Sequence, residues 1–178
     1  MGLDASPEML RIAQRRLPGV RLVLDDMRTF RLRRRFDVVS CLFSAIAHLQ
    51  TKEDVRRTFA NFARHLNPGG VAIVEPWLGP GAFQPGYLSL RTHLSPTVAV
   101  ARLAYSARRG NHSVVHFHFL IGEDGHKPRY VAVTDVGLLL SRNELLQLLS
   151  DSGLAPHYLT RGFTPGRGLL VGVKTRAG

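Results

Sequence analysis

The stretch that decides the fold runs over residues 51–77 and reads TKEDVRRTFANFARHLNPGGVAIVEPW. Thr51 can cap a helix, and apolar residues then recur at helical spacing within residues 55–66. The Asn-Pro-Gly-Gly turn at residues 67–70 ends that helix. The apolar run at residues 71–75 is typical of a strand buried on both faces. The stretch therefore predicts a helix, a tight turn and a buried strand.

The same alternation extends toward the N-terminus. Ser6 can cap a helix that Pro7 opens, and the Pro-Gly pair at residues 18–19 ends it. A short alternating strand at residues 20–24 and an apolar strand at residues 36–42 follow, and we expect the second to be buried on both faces. Strands and helices that alternate across short turns predict a parallel sheet with right-handed crossovers.

The second half of the chain has a different pattern. Residues 76–95 are rich in Pro and Gly and are expected to be irregular. Alternating runs joined by tight turns then predict an antiparallel meander. We therefore predict an α/β fold, a Rossmann-like sheet in a single domain over residues 1–178, with an antiparallel sheet inserted at about residues 82–140. The alternating runs are 98–105, 113–121 and 129–140, and a helix after Ser141 and strands at 157–161 and 169–174 complete the prediction.

Composition excludes several classes of protein. The chain has 178 residues, 44% of them hydrophobic and 21% charged, as in one ordinary globular domain. It contains no run of 18 apolar residues, and residues 1–20 lack the pattern of a signal peptide. The single cysteine, Cys41, excludes an internal disulfide or a multi-cysteine zinc site, and we expect it to be a small core residue. A cytoplasmic location is the expectation.

The formal net charge of +11 comes mostly from arginine, since only three of the 24 basic residues are lysines. The densest cluster places five arginines within residues 28–35. Two interpretations are open: a site for an acidic partner, or an arginine-rich solvated loop, which we favour. Aromatic residues are almost absent from the cluster and no nucleic-acid motif surrounds it, so a nucleic-acid partner is not expected.

Two stretches in this order resemble the class I S-adenosylmethionine-dependent methyltransferases. They are residues 2–10 (GLDASPEML), after a second strand, and residues 66–70 (LNPGG), before a fifth. The chain is more closely similar to the nucleotide-sugar N,N-dimethyltransferases of the desosamine and mycaminose type. The resemblance implies a Rossmann-like methyltransferase sheet, S-adenosylmethionine as cofactor and a small-molecule amine as methyl acceptor, with a nucleotide-linked amino sugar as the acceptor class. The stretches that carry the closer likeness are 26–28 (DMR), 42–44 (LFS), 68–77 (PGGVAIVEPW), 118–119 (HF) and 166–173 (GRGLLVGV).

The resemblance also implies a set of cofactor-binding residues. Asp4, at the end of the second strand of the family, would accept the ribose hydroxyls, as acidic residues do in dinucleotide folds. Asp26 and Met27 would contact the adenine ring, and Phe43 and Ser44 the methionine end of the cofactor. The structural alternatives are a helix-entry Asp4, a turn Asp26, and core positions for Met27 and Phe43.

The residue that we single out for catalysis is His48. It follows a strand at the edge where open α/β sheets bind ligands, and an imidazole suits proton removal from an amine. The alternative is an ordinary structural histidine. Trp77 is a candidate for the floor of the acceptor pocket, or a core residue. His116 and His118 share one face of a strand, but no third ligand is evident, so we expect no metal site.

The family pattern places a first strand and a glycine-rich turn about 20 residues before the acidic position, and here that position is Asp4. We therefore expect a sheet that lacks its first strand, exposed apolar edges and weak binding of the cofactor. A mis-assigned start and a shortened gene product, inactive or completed by a partner chain, are both open, and we favour a mis-assigned start or a truncation over a functional short form.

Two classes of function follow. The first is a methyltransferase acting on a small-molecule amine. The alternative is a non-catalytic methyltransferase-like protein that serves as a scaffold for an acidic partner. An RNA methyltransferase would combine the two, but the chain has no appended RNA-binding module. We expect a small-molecule substrate and no membrane partner, and a homodimer stays open.

Overall fold

The computed structural model describes residues 1–175. The chain divides into two compact units: Met1–Pro76 with the segment that begins at Asn143, and Trp77–Arg142. The helices are α1 (Pro7–Arg16), α2 (Lys52–His65) and α3 (Arg142–Asp151). The strands are β1 (Gly2–Asp4), β2 (Leu22–Leu24), β3 (Phe36–Cys41), β4 (Leu66–Val74), β5 (Leu88–Leu94), β6 (Val98–Arg109), β7 (His112–Glu123), β8 (Arg129–Leu138), β9 (Leu154–Leu159) and β10 (Leu169–Lys174).

The first unit contains two separate sheets. β1 and β2 form a parallel pair, and β3, β4, β10 and β9 form a four-stranded sheet in that order. β3 and β4 are parallel, and β10 runs antiparallel to both of its neighbours. The parallel pairing and the α/β class are as predicted. None of the described helices is long and apolar enough to cross a membrane.

The N-terminal caps of α1 and α2 form as the sequence predicts. The Ser6 hydroxyl accepts a hydrogen bond from the backbone N–H of Met9, and Thr51 does the same for Asp54. The two helices differ in burial: α1 has no buried residue, whereas α2 carries much of the core of its unit. The buried apolar residues of α2 are Val55, Phe59 and Phe62, and the same core contains Leu66, Val74, Leu149, Leu154 and Leu170.

The prediction that β3 is buried on both faces is wrong. Val38 is 53% exposed, and Asp37 and Ser40 are also exposed. The reason is the position of the strand, because among the described strands β3 pairs only with β4 and so forms an edge of the sheet. Cys41, at the end of the strand, is buried as predicted.

The second unit is a four-stranded antiparallel meander in the order β5-β6-β7-β8. The prediction of irregular structure over residues 76–95 is wrong for Leu88–Leu94, which pair with β6. The segment LSLRTHL has the period of a strand, but its Pro- and Gly-rich flanks obscured that signal. The assignment of the whole chain to one domain stays a prediction.

Candidate functional site

Two predicted cofactor residues lie at the same end of the β1–β2 pair. The parallel register aligns Asp4 with Leu24, and Asp26 follows two residues later. The backbone N–H of Asp25 donates to the carbonyl of Asp4 over 3.2 Å. Two acidic side chains therefore follow the carboxyl ends of neighbouring strands, the edge at which open α/β sheets bind ligands.

The Asp4 carboxylate is half-buried and only partly used by the protein. Its Oδ1 accepts a hydrogen bond of 2.8 Å from the backbone N–H of Ser6, next to the start of α1. Its Oδ2 accepts none from the described residues. A carboxylate with one fixed oxygen and one oxygen left over can accept hydroxyl groups, so Asp4 fits the ribose-binding position that the sequence predicts.

Asp26 is held by an arginine of its own turn. Arg28 donates to both carboxylate oxygens, with Nη2 2.6 Å from Oδ2, and also reaches Asp54 of α2 over 3.2 Å. These hydrogen bonds from Arg28 lower the pKa of Asp26. Asn61 donates to the carbonyl of Met27 over 3.3 Å, which ties the same turn to α2. An adenine amino group at this position would share the Asp26 carboxylate with Arg28.

The turn after β3 is strained. Phe43 and Ser44 have φ values of 52° and 60°, the left-handed region that side-chain-bearing residues rarely adopt. Phe43 is 81% exposed, whereas Ser44 is buried and donates to the carbonyl of Pro76 over 2.9 Å. Backbone strain of this kind persists only where the surroundings fix it, and it concentrates at functional sites.

A buried carboxylate fixes this turn. Glu75 is fully buried, and its two oxygens accept the backbone N–H groups of Phe43 (2.8 Å) and Thr164 (2.9 Å). Arg167 completes the arrangement, donating from Nη1 to the Ser44 hydroxyl over 2.7 Å. We call Glu75, Thr164 and Arg167 the Glu75 clamp.

The charges of the clamp support one another. The pKa of Glu75 is lowered mainly by hydrogen bonds from Thr164. The N–H of Phe43 and the charge of Arg167 lower it further, whereas burial raises it. Burial lowers the pKa of Arg167, and the neighbouring Glu75 opposes that shift. Glu75 is thus a charged carboxylate that holds the turn from inside the protein.

Gly168 allows the chain to bend directly after Arg167. Its φ is 65°, and a Cβ at this position would overlap the Tyr158 hydroxyl and the carbonyl oxygen of Leu159. The same Tyr158 hydroxyl donates to the carbonyl of Arg167 over 3.1 Å. The clamp was missed by the sequence analysis, although a lone acid at the end of the apolar run 71–75 is the signal that could have revealed Glu75.

His48 ends the short 3₁₀ helix Ala45–His48 that follows the strained turn. His48 is exposed, whereas Ile46 and Ala47 before it are buried and anchor the helix. The carbonyl of His48 accepts a hydrogen bond of 2.8 Å from Gln50. The structure thus places this imidazole at the carboxyl end of β3, and its catalytic role stays a prediction.

The remaining predicted residues lie in the second unit. The half-buried Trp77 donates from its indole to the Ser113 hydroxyl over 3.1 Å, and its role at an acceptor pocket stays a prediction. His116 Nδ1 lies 3.0 Å from the Thr134 hydroxyl, and His118 hydrogen-bonds to the Tyr130 hydroxyl. No cluster of three His, Cys, Asp or Glu residues that could hold a metal occurs within residues 1–175.

Acidic residues after parallel strands and a strained, clamped turn after the next strand lie at the edge where open α/β domains bind ligands. The family described as "Methyltransferase domain" matches residues 1–70. The chain is 38% identical over 172 residues to the dTDP-3-amino-3,4,6-trideoxy-alpha-D-glucopyranose N,N-dimethyltransferase of Streptomyces venezuelae, covering 97% of this chain and 72% of that protein.

Solved structures agree with this likeness. The crystal structure of Streptomyces venezuelae DesVI matches with a TM-score of 0.92 at 38% identity, over 98% of this chain and 73% of that one. CalS10, an amino pentose methyltransferase from Micromonospora echinaspora solved with S-adenosylmethionine bound, matches with a TM-score of 0.89 at 36% identity, over the same shares of the two chains. The chain belongs to the family of S-adenosylmethionine-dependent sugar N-methyltransferases.

Proposed function

We propose that this protein transfers methyl groups from S-adenosylmethionine to the amino nitrogen of a nucleotide-linked amino sugar. The observation that carries the proposal is the 38% identity, over 97% of the chain, to an enzyme named as a dTDP-amino-sugar N,N-dimethyltransferase. Two further relatives, 34% and 35% identical, are named as N,N-dimethyltransferases of other dTDP-amino sugars. The acceptor is therefore placed in that chemical class.

The cofactor would be held by the residues at the strand ends of the first unit. Asp4 would accept the ribose hydroxyls through its Oδ2, since Oδ1 is already fixed by Ser6. Asp26 would accept from the adenine amino group, and Met27 would pack against the ring. When bound, S-adenosylmethionine supplies an electrophilic methyl group on a sulfonium. Support for this part comes from the common edge that Asp4 and Asp26 share.

The Phe43–Ser44 turn would contact the methionine end of the cofactor, and the backbone of this turn is fixed. Glu75 accepts the N–H of Phe43, and Arg167 donates to the Ser44 hydroxyl, so the exposed Phe43 ring is the group left to contact a ligand. A turn held in this way does not have to reorganise when ligands bind, which favours positioning of the reactants.

His48 would orient the acceptor amine and take its proton. Methyl transfer needs an amine with a free lone pair, and a general base near neutral pH contributes rate by removing the proton. The support is the place of His48, exposed at the carboxyl end of β3. Trp77 stays the candidate for the acceptor floor, and the cytoplasmic location also stays a prediction.

Mass spectrometry of the reaction tests the proposal. We expect a dTDP-amino sugar incubated with the protein and S-adenosylmethionine to gain one and then two methyl groups on nitrogen. His48→Ala should lower kcat about a hundredfold, while His157→Ala, an exposed histidine of β9, should leave kcat unchanged. Methylation of a hydroxyl group, or an equal effect of the two substitutions, would contradict it.

We also infer that a second copy of the chain pairs with one face of the β5–β8 sheet. The strand registers place seven exposed large apolar residues on that face. Four strands of seven residues span about 450 Å² of sheet, the size of the largest apolar patch on a typical monomer, which is often a functional surface. The residues are Leu88, Leu90, Leu94, Leu103, Tyr105, Leu120 and Tyr130, with exposed fractions from 43% to 82%.

The occupant is assigned to a second copy because the seven residues above contain no charge. Two copies, each with a net charge of +11, can therefore meet through this patch without placing like charges in contact. Light scattering should report a dimer that Leu90→Asp with Leu103→Asp converts to a monomer. Leu17→Asp, at the residue that follows α1 and is 54% exposed before substitution, should leave the dimer intact. A monomeric wild type would overturn the inference.

A further inference from the structure

A basic cavity lies at the opposite end of β3 from the predicted cofactor site. Arg31, Arg33, Arg34 and Arg35 come directly before the strand, and Arg64 joins them from the end of α2. Together they surround a cavity of about 430 Å³, which Leu32 and His65 also line. We call these seven residues the arginine pocket.

The base of the pocket is fixed by a buried imidazole. The backbone N–H of Leu32 donates to His65 Nε2 over 3.1 Å, so the proton of the neutral ring sits on Nδ1, which donates to the carbonyl of Asn61 over 2.8 Å. Both ring nitrogens are thus used, and His65 is only 3% exposed. The Phe30 ring packs on the imidazole with a centroid distance of 4.4 Å.

The backbone before the arginines is tied to α2 as well. The side chain of Asn61, itself buried, donates to the carbonyl of Phe30 over 3.1 Å and to that of Met27 over 3.3 Å. The arginine run is therefore a solvated loop with exposed side chains, as expected, and its backbone is anchored. The Arg34 guanidinium also lies over the Phe36 ring, 4.8 Å from its centroid.

The five arginines have no ion-pair partner among the described residues. Arginines elsewhere in the described residues do form ion pairs with carboxylates. Examples are Arg28, Arg56 and Arg129. Asp37, the acidic residue nearest in sequence, is exposed and accepts a hydrogen bond of 2.8 Å from Asn67.

A further cation lies beside the cluster. Burial lowers the pKa of Lys174, and the positive charge of Arg35 contributes to the shift. The Lys174 ammonium donates to the carbonyls of Ala63 and Leu66 at the end of α2. It thus offsets the negative end of that helix dipole, which would otherwise oppose an anion next to Arg64.

We propose that the arginine pocket binds a compact polyphosphate anion, such as a diphosphate group. Guanidinium groups bind phosphate oxygens in pairs, so several converging arginines favour a multiply charged phosphate. The cavity volume suits a small anion. A nucleic-acid strand would instead need an extended groove with aromatic rings for its bases, and here Phe30 is buried and Phe36 lies under Arg34.

The pocket is separate from the cofactor edge. β3 has six residues, which span about 20 Å, with the arginines before its first residue and the Phe43–Ser44 turn after its last. Substitutions at one end can therefore be tested without touching groups at the other.

Calorimetric titration with inorganic diphosphate tests the proposal. We expect saturable binding that weakens at least about tenfold in the triple variant Arg33→Ala, Arg34→Ala, Arg35→Ala, because three charge-assisted hydrogen-bonding groups are lost. The control is Arg11→Ala, Arg15→Ala, Arg16→Ala on the exposed face of α1, which removes the same charge and should leave the affinity unchanged. Circular dichroism melts establish that both variants fold.

Further titrations distinguish the source of the phosphate. If the affinity of a nucleoside diphosphate falls in the pocket variant as that of diphosphate does, the ligand is nucleotide-borne; if only diphosphate binding falls, the ligand is the free anion. Asp4→Asn should leave diphosphate binding unchanged, so failure here is separable from failure of the methyl-transfer proposal. Absence of saturable diphosphate binding, equal losses in both triple variants, or a single-stranded oligonucleotide that binds through these arginines without displacement by diphosphate would each overturn the proposal.

Discussion

The two ends of β3 differ in how charge is placed. At its carboxyl end, Glu75 and Arg167 are drawn into the protein, and their hydrogen bonds go to the backbone and side chain of one strained turn. At its amino end, five arginines line a cavity. Uncharged side chains of α2 anchor the backbone of the arginine run there. A matched buried charge fixes a conformation, whereas unmatched exposed charges remain available to a ligand.

The largest effect is expected when the Glu75 clamp, at the carboxyl end of β3, is broken. Glu75→Ala leaves two N–H groups without acceptors and Arg167 without its opposite charge, so we expect a loss of about 3 kcal/mol in the free energy of unfolding. Urea denaturation measures it. Glu53→Ala, which breaks the exposed pair with Arg56 on α2, should cost far less, because solvent screens surface ion pairs. Equal losses would show that the clamp is no stronger than a surface pair.

The next largest effect is expected when the base of the arginine pocket, at the amino end of β3, is loosened. His65→Leu removes the acceptor for Leu32 and the donor for Asn61 while keeping an apolar side chain in place. We expect a loss of about 2 kcal/mol in the free energy of unfolding, since buried polar groups are left unpaired, and weaker diphosphate binding by calorimetry. Unchanged diphosphate affinity would show that the anchoring of the backbone does not organise the arginines.

A smaller effect of opposite sign is expected at the strained turn. Phe43→Gly replaces an exposed side chain at φ 52° by the residue that tolerates this conformation, and should raise the free energy of unfolding by about 1 kcal/mol. Because Phe43 is also a predicted cofactor contact, we expect weaker binding of S-adenosylmethionine in the same variant. A variant that is both more stable and unimpaired in cofactor binding would remove Phe43 from the site.

The smallest effect is a change in acid sensitivity. The pKa of Glu75 is lower in the folded protein than in the unfolded chain, so its stabilisation is present above the unfolded pKa and is lost as the pH falls through the folded value. Melting temperatures measured from pH 6 down to about pH 3 should therefore fall less steeply in Glu75→Gln than in the wild type. Parallel curves would contradict the charged state of Glu75.

Local patterns were sufficient to predict part of this architecture. The caps at Ser6 and Thr51 and the strand β10 follow from short-range signals and occur as predicted, whereas the turn predicted at residues 67–70 is wrong, because β4 begins at Leu66 and includes it. The burial of β3 could not be predicted, because exposure of Val38 depends on which strands flank it. β5 was missed because its flanks resemble a loop.

The site shows the same limit. Asp4, Asp26 and His48 are placed by the strand ends that the sequence predicts, although their roles stay predictions. The Glu75 clamp was not predicted, because its partners are brought together only by the fold: Thr164 lies 89 residues from Glu75, and Arg167 lies 123 residues from Ser44. The anchoring of the arginine run likewise depends on His65, a residue 33 positions from Leu32.

Cys41 has a practical consequence for anyone who studies how this protein opens. Burial raises the pKa of its thiol to about 12, so the thiolate that alkylating reagents require is essentially absent at neutral pH while the last residue of β3 stays covered. As the chain has no other sulfhydryl, the rate of iodoacetamide labelling reports the opening of this one strand, with no engineered probe.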